Sequence, residues 1–521
     1  MTFWTPDTVR AAMGGTWIHR PPLMELPKDR PADLPPPPLH APIVGVATDT
    51  RTIKSGQVFI ALKGENHDGH DYLQKAADAG APILVVDDPA RVPEGGFLPP
   101  VGVMKVADCG KALLKLGAAY RKSLKQTKVI AVCGSNGKTT TTRLIDHVLK
   151  SALRGTASIK SFNNAIGVPL TILSARENDQ YLVCEVGTNS PGEIMQLAEV
   201  VQPDVAVITS IGREHLEKLG DIAGVAKEEA AIITYLRPKG LAVATADSPE
   251  LREHLKRAAN LVMFGKSEDA TLRLTGLEQD QEGVSFSVNN RLKVRLPLLG
   301  EHNALNAIAA LAVARRMNID EVQAAAALEQ AGGAEMRMER VEVGGITILN
   351  DTYNANPDSM IAGLRTLGAI RKKSTGRCVA ILGEMLELGA ASDAGHRAVA
   401  RELWSLKAVD LVVLVGERME PAREELTALG FPKEKLVYLP DCDEPRDRQI
   451  AELLRPDDLV LAKGSRRVRL ERVIDGVKAK SDKRPAKIGG VTPELKSGLG
   501  SAGVGSGGGG GTIARAALKV R

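Results

Sequence analysis

Long hydrophobic runs, a dominant sign of charge and paired cysteines are all missing from this 521-residue chain. No stretch approaches the roughly 18 apolar residues that a membrane-crossing helix needs, so no membrane insertion is expected. The first residues, MTFWTPDTVRAAMGG, lack a basic segment followed by an apolar one, so no secretory signal is expected either. Lys and Arg number 68 against 63 Asp and Glu, for a net charge of +5. That balance excludes a dedicated nucleic-acid coat but leaves room for local basic pockets that hold phosphates. The five cysteines (Cys109, Cys133, Cys184, Cys378 and Cys442) form no CxxC pair and are odd in number. Reduced thiols in a cytoplasmic enzyme are the expected state.

The chain is 43% hydrophobic and 25% charged, which reads as globular. Its length suggests three or four domains, and at that length no disulfide or metal staple is needed.

Residues 1–127 read as a small α/β unit, interrupted by RPADLPPPPLH (30–40), which should be extended and surface-lying. VGVATDTR, QVFIAL and APILVV are short strand patterns, and DYLQKAADAG is a helix ending at glycine. A second unit, 128–335, opens on the strand KVIAVCG, a glycine turn and the helix TTTTRLIDHVLKSAL. YLVCEVG, DVAVITS and GLAVAT repeat the strand pattern between helical stretches. That alternation indicates a parallel sheet covered on both faces. HNALNAIAALAVARRM closes the unit as an alanine-rich helix. In 336–480, ITILN, RCVAIL, LVVLVG, KLVYL and LVLAKG are five strand candidates in a Rossmann-like series without a dinucleotide fingerprint. From 481 to 521 periodicity stops, and a flexible Gly/Ser-rich tail is expected.

The strongest chemical signal is Gly134-Ser135-Asn136-Gly137-Lys138-Thr139-Thr140, between a strand and a helix. Backbone N–H groups in such a loop face a bound phosphate, and the helix N-terminus adds a favourable dipole. Lys138 would reach the β- and γ-phosphates, and the Thr139 hydroxyl would bind Mg²⁺. The strict GxxxxGK[ST] spacing fails because residue 132 is valine. The strand–loop–helix context nevertheless indicates ATP or another nucleoside triphosphate. Glu185 ends the strand YLVCEVG, where a carboxylate could hold Mg²⁺ or could be an ordinary paired acid. DVAVITSIG delivers Arg213, Glu214 and His215 to the same edge. GEHNALNA (300–307) places His302, Asn303 and Asn306 at a helix start. There Asn303 either caps the helix or reads adenine.

Together these motifs resemble the Mur ligase superfamily over about residues 42–475. The matching segments are TDTR, GQVFIALKGENHDGHDYLQKAADAGA, SNGKTTT, SFNNAIGVPLTIL (161–173), EVGTNSPGEI, GREHLEKLGD, GEHNALNAIAA, MRMERV, NDTYNANPDSM (350–360), ILGEMLELG (381–389) and AKGSR (462–466). NDTYNANPDSM and GEMLELG are the most specific. A sister ligase of the superfamily or a folate polyglutamate ligase should share the phosphate loop and lack NDTYNANPDSM and SFNNAIGVPL. A regulator without catalysis would not need Lys138, Glu185, His215 and Arg337 together.

The resemblance implies an α/β fold of three domains. These are a uridine-nucleotide-binding domain, a central phosphate-loop ATPase-like domain and a Rossmann-like C-terminal domain. It implies a cytoplasmic, monomeric, ATP- and Mg²⁺-dependent ligase of peptidoglycan synthesis. Its substrates would be a UDP-N-acetylmuramoyl tripeptide and D-alanyl-D-alanine, joined through an acyl phosphate. By the same resemblance, Lys138 and Thr139 serve the triphosphate and one Mg²⁺, which Glu185 shares. His215 ligates a second Mg²⁺, Asn303 lies against adenine, and Arg337 reaches the γ-phosphate. Asp351, Tyr353 and Asn354 line the ATP side of the third domain. Thr50 and Arg51 lie near the uridine. Asn163, Asn164, Lys463, Gly464, Ser465 and Arg466 serve the substrates. Sister enzymes carry a carbamylated lysine about fourteen residues after this histidine, where this chain has Glu229. A glutamate supplies negative charge without modification; a carbamylated Lys227 is the alternative.

Overall fold

The computed structural model describes residues 3–21, 42–159, 161–372, 376–441 and 444–482. The proline-rich stretch 30–40, Cys442 and the glycine-rich tail beyond 482 lie outside the described residues. Three sheets divide the rest. No helix among the described residues is long and apolar enough to cross a membrane.

The first lobe begins with α1 (Pro6–Met13), which Thr5 caps and a left-handed Gly14 ends. Its strands are β1 (Thr16–His19), β2 (Gly45–Ala47), β3 (Gln57–Ile60), β4 (Ile83–Val86) and β5 (Gly102–Lys105). They lie in the order β1-β5-β4-β3-β2, with only β1 antiparallel to its neighbour. Helix α2 (Leu73–Asp78) follows β3 in the chain, and α3 (Cys109–Ser123) follows β5.

Helix α3 does not stay within its lobe. Tyr120 donates from its hydroxyl to the Ala175 carbonyl at 2.7 Å. Arg121, 2% exposed, donates to the Val201 and Gln202 carbonyls and pairs with Asp204 at 3.0 Å. A buried guanidinium needs such saturation, because desolvation penalises the charge. Leu113, Leu116 and Tyr120 belong to the same core as Ile172, Leu197 and Val201. A boundary drawn at residue 127 therefore cuts through one continuous core.

The central lobe runs β6 (Lys128–Cys133), α4 (Lys138–Lys150), β7 (Gly155–Ala157), α5 (Gly167–Ser174), β8 (Tyr181–Glu185), α6 (Glu193–Val201), β9 (Val205–Ile208), α7 (Leu216–Leu219), α8 (Ile222–Ala230), β10 (Leu241–Thr245), α9 (Arg252–Leu255) and β11 (Leu261–Gly265). It ends with β12 (Leu272–Gln279), β13 (Val284–Val288), β14 (Leu292–Leu296), α10 (Glu301–Arg316) and α11 (Glu321–Leu328). The sheet order is β14-β13-β12-β11-β10-β9-β6-β8-β7. From β7 to β12 it is parallel; β12, β13 and β14 form an antiparallel meander. The parallel sheet expected from the alternation is present, and this meander extends it. VSFSV and LKVRL alternate with period two, which marks strands with one wet face. Strand β6 lies between β8 and β9, so its C-terminal end opens onto the crevice where ligands bind in such sheets.

The third lobe contains β15 (Glu339–Val343), β16 (Ile346–Asp351), α12 (Pro357–Arg371), β17 (Cys378–Gly383), α13 (Ser392–Leu406), β18 (Leu411–Val415), α14 (Glu420–Ala428), β19 (Leu436–Leu439), α15 (Glu444–Leu453), β20 (Leu459–Lys463) and α16 (Glu471–Asp482). The order is β15-β16-β20-β17-β18-β19, with β15 alone antiparallel. All five strands expected there are present. The sixth, β15, carries the charged alternation ERVEV and has no fully buried residue.

Candidate active site

Strand β6 is buried from Val129 to Cys133 and delivers the loop 134–137 to the crevice. Gly134 (φ +116°) and Gly137 (φ +86°) adopt backbone conformations that favour glycine. A Cβ on Gly134 would lie 2.4 Å from Thr209 Oγ1, and one on Gly137 would lie 2.4 Å from Asn306 Oδ1. Thr209 and Ser210, just past β9, brace the loop. Thr209 donates to the Asn136 carbonyl at 2.6 Å, and the Ser135 N–H donates to the Ser210 carbonyl at 2.8 Å. Helix α4 starts at Lys138 without a side-chain cap, so its first-turn N–H groups remain available to an anion.

The Lys138 ammonium folds back on the loop, donating to the Gly134 carbonyl at 2.6 Å and the Ser135 carbonyl at 3.2 Å. Burial works against its charge, but Glu214, Glu229 and Glu185 outweigh that penalty and raise its pKa. Each of the three carboxylates is buried. Glu185 accepts from Asn163 Nδ2 at 2.9 Å through Oε1, and Glu229 accepts from the Gly134 N–H at 2.8 Å through Oε2. Glu214 stands 3.8 Å from the Lys138 ammonium. Among the described residues, each also has one oxygen without a hydrogen-bond partner: Glu185 Oε2, Glu214 Oε1 and Glu229 Oε1. Orphaned buried carboxylate oxygens are uncommon and demand a partner. A hard divalent cation with oxygen ligands suits this donor set.

The third lobe meets this cluster at four points. Arg213 binds Asp358, near the start of α12, through both its guanidinium (2.6 Å) and its backbone N–H (2.6 Å). Asn136 of the loop accepts from Asn356 Nδ2 at 2.9 Å, and Asn356 itself caps α12. His215 Nδ1 lies 2.5 Å from Glu387 Oε2, while Nε2 lies 3.8 Å from Glu214. Arg337 donates to Ser161 Oγ at 3.2 Å, and Ser161 Oγ is 3.2 Å from Thr139 Oγ1. The Arg337 guanidinium lies 4.1 Å from the centre of the Tyr353 ring. The site is thus built from two lobes, with cations and carboxylates meeting at a phosphate-type loop.

Three family descriptions match in series: "Mur ligase family, catalytic domain" over 42–138, "Mur ligase middle domain" over 132–314 and "Mur ligase, glutamate ligase domain" over 336–466. The UDP-N-acetylmuramoyl-tripeptide–D-alanyl-D-alanine ligase of Bacillus subtilis is 34% identical over 436 residues, covering 83% of this chain and 92% of that protein. The chain belongs to the Mur ligase family.

Solved Mur ligases agree with the assignment. MurF from Acinetobacter baumannii matches with a TM-score of 0.77 at 30% identity, over 91% of this chain and 99% of that one. The MurF ligase of Thermotoga maritima, solved in complex with ADP, matches at 0.71 and 27%, over 85% of this chain and 98% of that one.

In this Mur ligase the residues singled out from sequence fall into distinct places. Gly134 to Thr140, Glu185, His215, Glu229 and Arg337 all lie around the crevice. Lys227 is exposed on α8, two positions from the buried Glu229 and so on the opposite side of the helix. Of the two, Glu229 has its carboxylate on the phosphate loop. Asn303 is committed to the Leu299 carbonyl and to Asn306, so Asn306, not Asn303, meets the loop. Lys463 is 3% exposed, pairs with Asp351 at 2.7 Å and donates to the Asn354 carbonyl. Ser465 accepts from the Leu386 N–H at 3.0 Å, and Arg466 is exposed beside Glu471. Asn164 accepts from the N–H groups of Ile166 and Gly167. Thr50 and Arg51 stand apart in the first lobe, with Arg51 on Asp49 at 2.6 Å. Ser161, Asn356, Asp358 and Glu387 went unread. All four lie inside quoted motifs, but nothing in their spacing says that they cross between lobes.

Burial pushes Glu229 up to about 7 from its ordinary 4.5, although Lys138 pulls the other way. A raised acid binds a proton in the folded chain that the unfolded chain has already released. Between about pH 4.5 and 7 the folded state therefore loses stability as pH rises. The span corresponds to roughly 3 kcal/mol at about 1.4 kcal/mol per unit. Melting temperatures without divalent cations should show wild type falling relative to Glu229→Gln between pH 5 and 7. Parallel curves would remove Glu229 from this role.

Proposed function

We propose that this ligase joins D-alanyl-D-alanine to a UDP-N-acetylmuramoyl tripeptide at the expense of ATP, forming the pentapeptide precursor of peptidoglycan. The observation that carries this reading is that cations from two lobes meet the phosphate loop, Lys138 on the Gly134 and Ser135 carbonyls and Arg337 through Ser161 beside Thr139.

The tripeptide's terminal carboxylate oxygen attacks the γ-phosphorus of ATP. The bond from that phosphorus to the β–γ bridging oxygen breaks, and ADP leaves. The amine of D-alanyl-D-alanine then attacks the acyl carbon, loses a proton, and phosphate departs as the amide forms. The first step brings anion to anion. Two unit charges at about 4 Å repel by about 1 kcal/mol in water but about 4 kcal/mol at an effective dielectric of 20. The chain answers with its loop N–H groups, Lys138 and Arg337. Thr139, Glu185, Glu214, His215 and Glu229 are the residues that would hold Mg²⁺, which supplies countercharge to the phosphates. Asp351 and Lys463 fix the third-lobe wall beside Tyr353 and Asn354. Apposition of the two lobes excludes water from the acyl phosphate. Thr50 and Arg51 serve the uridine end, and Asn163 and Asn164 the muramoyl peptide. The reading makes the enzyme a monomer of the cytoplasm.

Phosphate release tests this reading. Release should require ATP, Mg²⁺, the UDP-tripeptide and D-alanyl-D-alanine together, with one phosphate per amide formed. Nucleotide binding without release under those conditions would favour a non-catalytic regulator, and release supported by a single amino acid in place of the dipeptide would indicate a sister ligase.

A further inference from the structure

We infer that Glu387 of the third lobe is a positioning residue for His215, so that bringing the lobes together sets the histidine that faces the cation site. The inference rests on the reading of His215 as a Mg²⁺ ligand and goes beyond it.

Glu387 grips the His215 loop twice. Its carboxylate oxygen is 2.5 Å from His215 Nδ1, and its backbone carbonyl accepts from the Glu217 N–H at 3.1 Å. Glu217 stands in the first turn of α7, where N–H groups lack partners within the helix. Gly389, two residues on, presses against Glu217: a Cβ there would come within 3.0 Å of the Glu217 Cα. The carboxylate thus comes from a backbone already fixed across the interface.

Both partners of the short contact hold left-handed backbones that non-glycine residues avoid, His215 at φ +51° and Glu387 at φ +64°. Paired outliers facing each other across a lobe boundary point to function. A neutral imidazole held at Nδ1 by a carboxylate carries its proton there and offers Nε2 as the ligand atom. Nε2 lies 3.8 Å from Oε2 of Glu214, whose other oxygen, Oε1, is one of the orphaned ones. Because His215 and Glu387 sit on different lobes, this setting of the ring exists only when the lobes meet.

The test uses Mn²⁺ in place of Mg²⁺, titrated by electron paramagnetic resonance into the full chain with a non-hydrolysable ATP analogue. Nitrogen-15 spectra of the histidine side chains report the His215 tautomer. Glu387→Ala should weaken Mn²⁺ binding by about 10- to 100-fold and give a mixed tautomer. Glu387→Gln, whose amide oxygen still accepts from Nδ1–H, should keep the tautomer and most of the affinity. His215→Ala separates the two ideas. If it binds Mn²⁺ as tightly as wild type, the ligand role of His215 fails. If it loses Mn²⁺ while Glu387→Ala keeps both affinity and tautomer, only the present inference is overturned. Equal losses in the Ala and Gln variants with an unchanged tautomer would reduce Glu387 to interlobe adhesion and overturn it as well.

Discussion

Replacing Lys138 with alanine should reduce ligation by a factor on the order of 10³ or more while the protein still folds. Removing one preorganised donor from a developing anion costs about 10²–10³ in rate, and Lys138 is also the charge nearest the loop. Its ammonium donates to two carbonyls of its own loop, Gly134 and Ser135, and its pairing with Glu214 is a long 3.8 Å, so a nucleotide can draw it outward at little structural cost. Loss of the cation leaves Glu185, Glu214 and Glu229 facing one another. Burial pushes Glu229 up to about 7, so at pH 6 it already carries its proton and adds little to that repulsion. The unfolding midpoint at pH 6 should therefore move by only a few degrees. Phosphate release and amide formation, followed together, measure the catalytic loss. Turnover within about tenfold of wild type would remove Lys138 from the triphosphate site.

What could be read beforehand followed local pattern. The apolar strands β6, β8, β9 and β10 and the glycine loop at 134–137 announce themselves within a few residues, because burial on both faces and left-handed backbone demand particular residue types. Strands β17, β18 and β20 of the third lobe did so for the same reason. Strand β15 did not, because at the sheet edge its residues alternate between water and a half-buried face. The meander β12–β14 carried a period-two signal that the strongly parallel series before it obscured. Contacts between lobes were illegible for a different reason. His215 and Glu387 are 172 positions apart, and Asn136 and Asn356 are 220 apart. No periodicity links such pairs; only the packing of finished lobes brings them together. Asn303 and Asn306 show the finer limit. Both lie near the start of α10, three positions apart and so on one side of the helix, yet which of them touches Gly137 depends on how α10 sits against α4.

Arg337→Ala should lower kcat by about 10²- to 10³-fold and leave tripeptide affinity within about threefold. The argument is positional. Arg337 belongs to the third lobe, stacks on Tyr353 and reaches the central lobe through Ser161, whose hydroxyl neighbours Thr139. A guanidinium poised there acts on the transferring phosphoryl group, in the manner of arginines that meet charge developing in a phosphoryl-transfer transition state. An interaction made only in the transition state shows itself when kcat and kcat/KM fall together. Arg337→Lys should recover little, because an ammonium cannot present the planar fork that both stacks on an aromatic ring and binds phosphate oxygens. Tyr353→Leu removes the stacking surface alone and should produce a smaller loss of the same kind. Steady-state kinetics with separate binding titrations of the UDP-tripeptide decide the matter. A variant that binds tripeptide tenfold more weakly but turns over normally at saturation would place Arg337 on the peptide and leave the γ-phosphate to Lys138 alone.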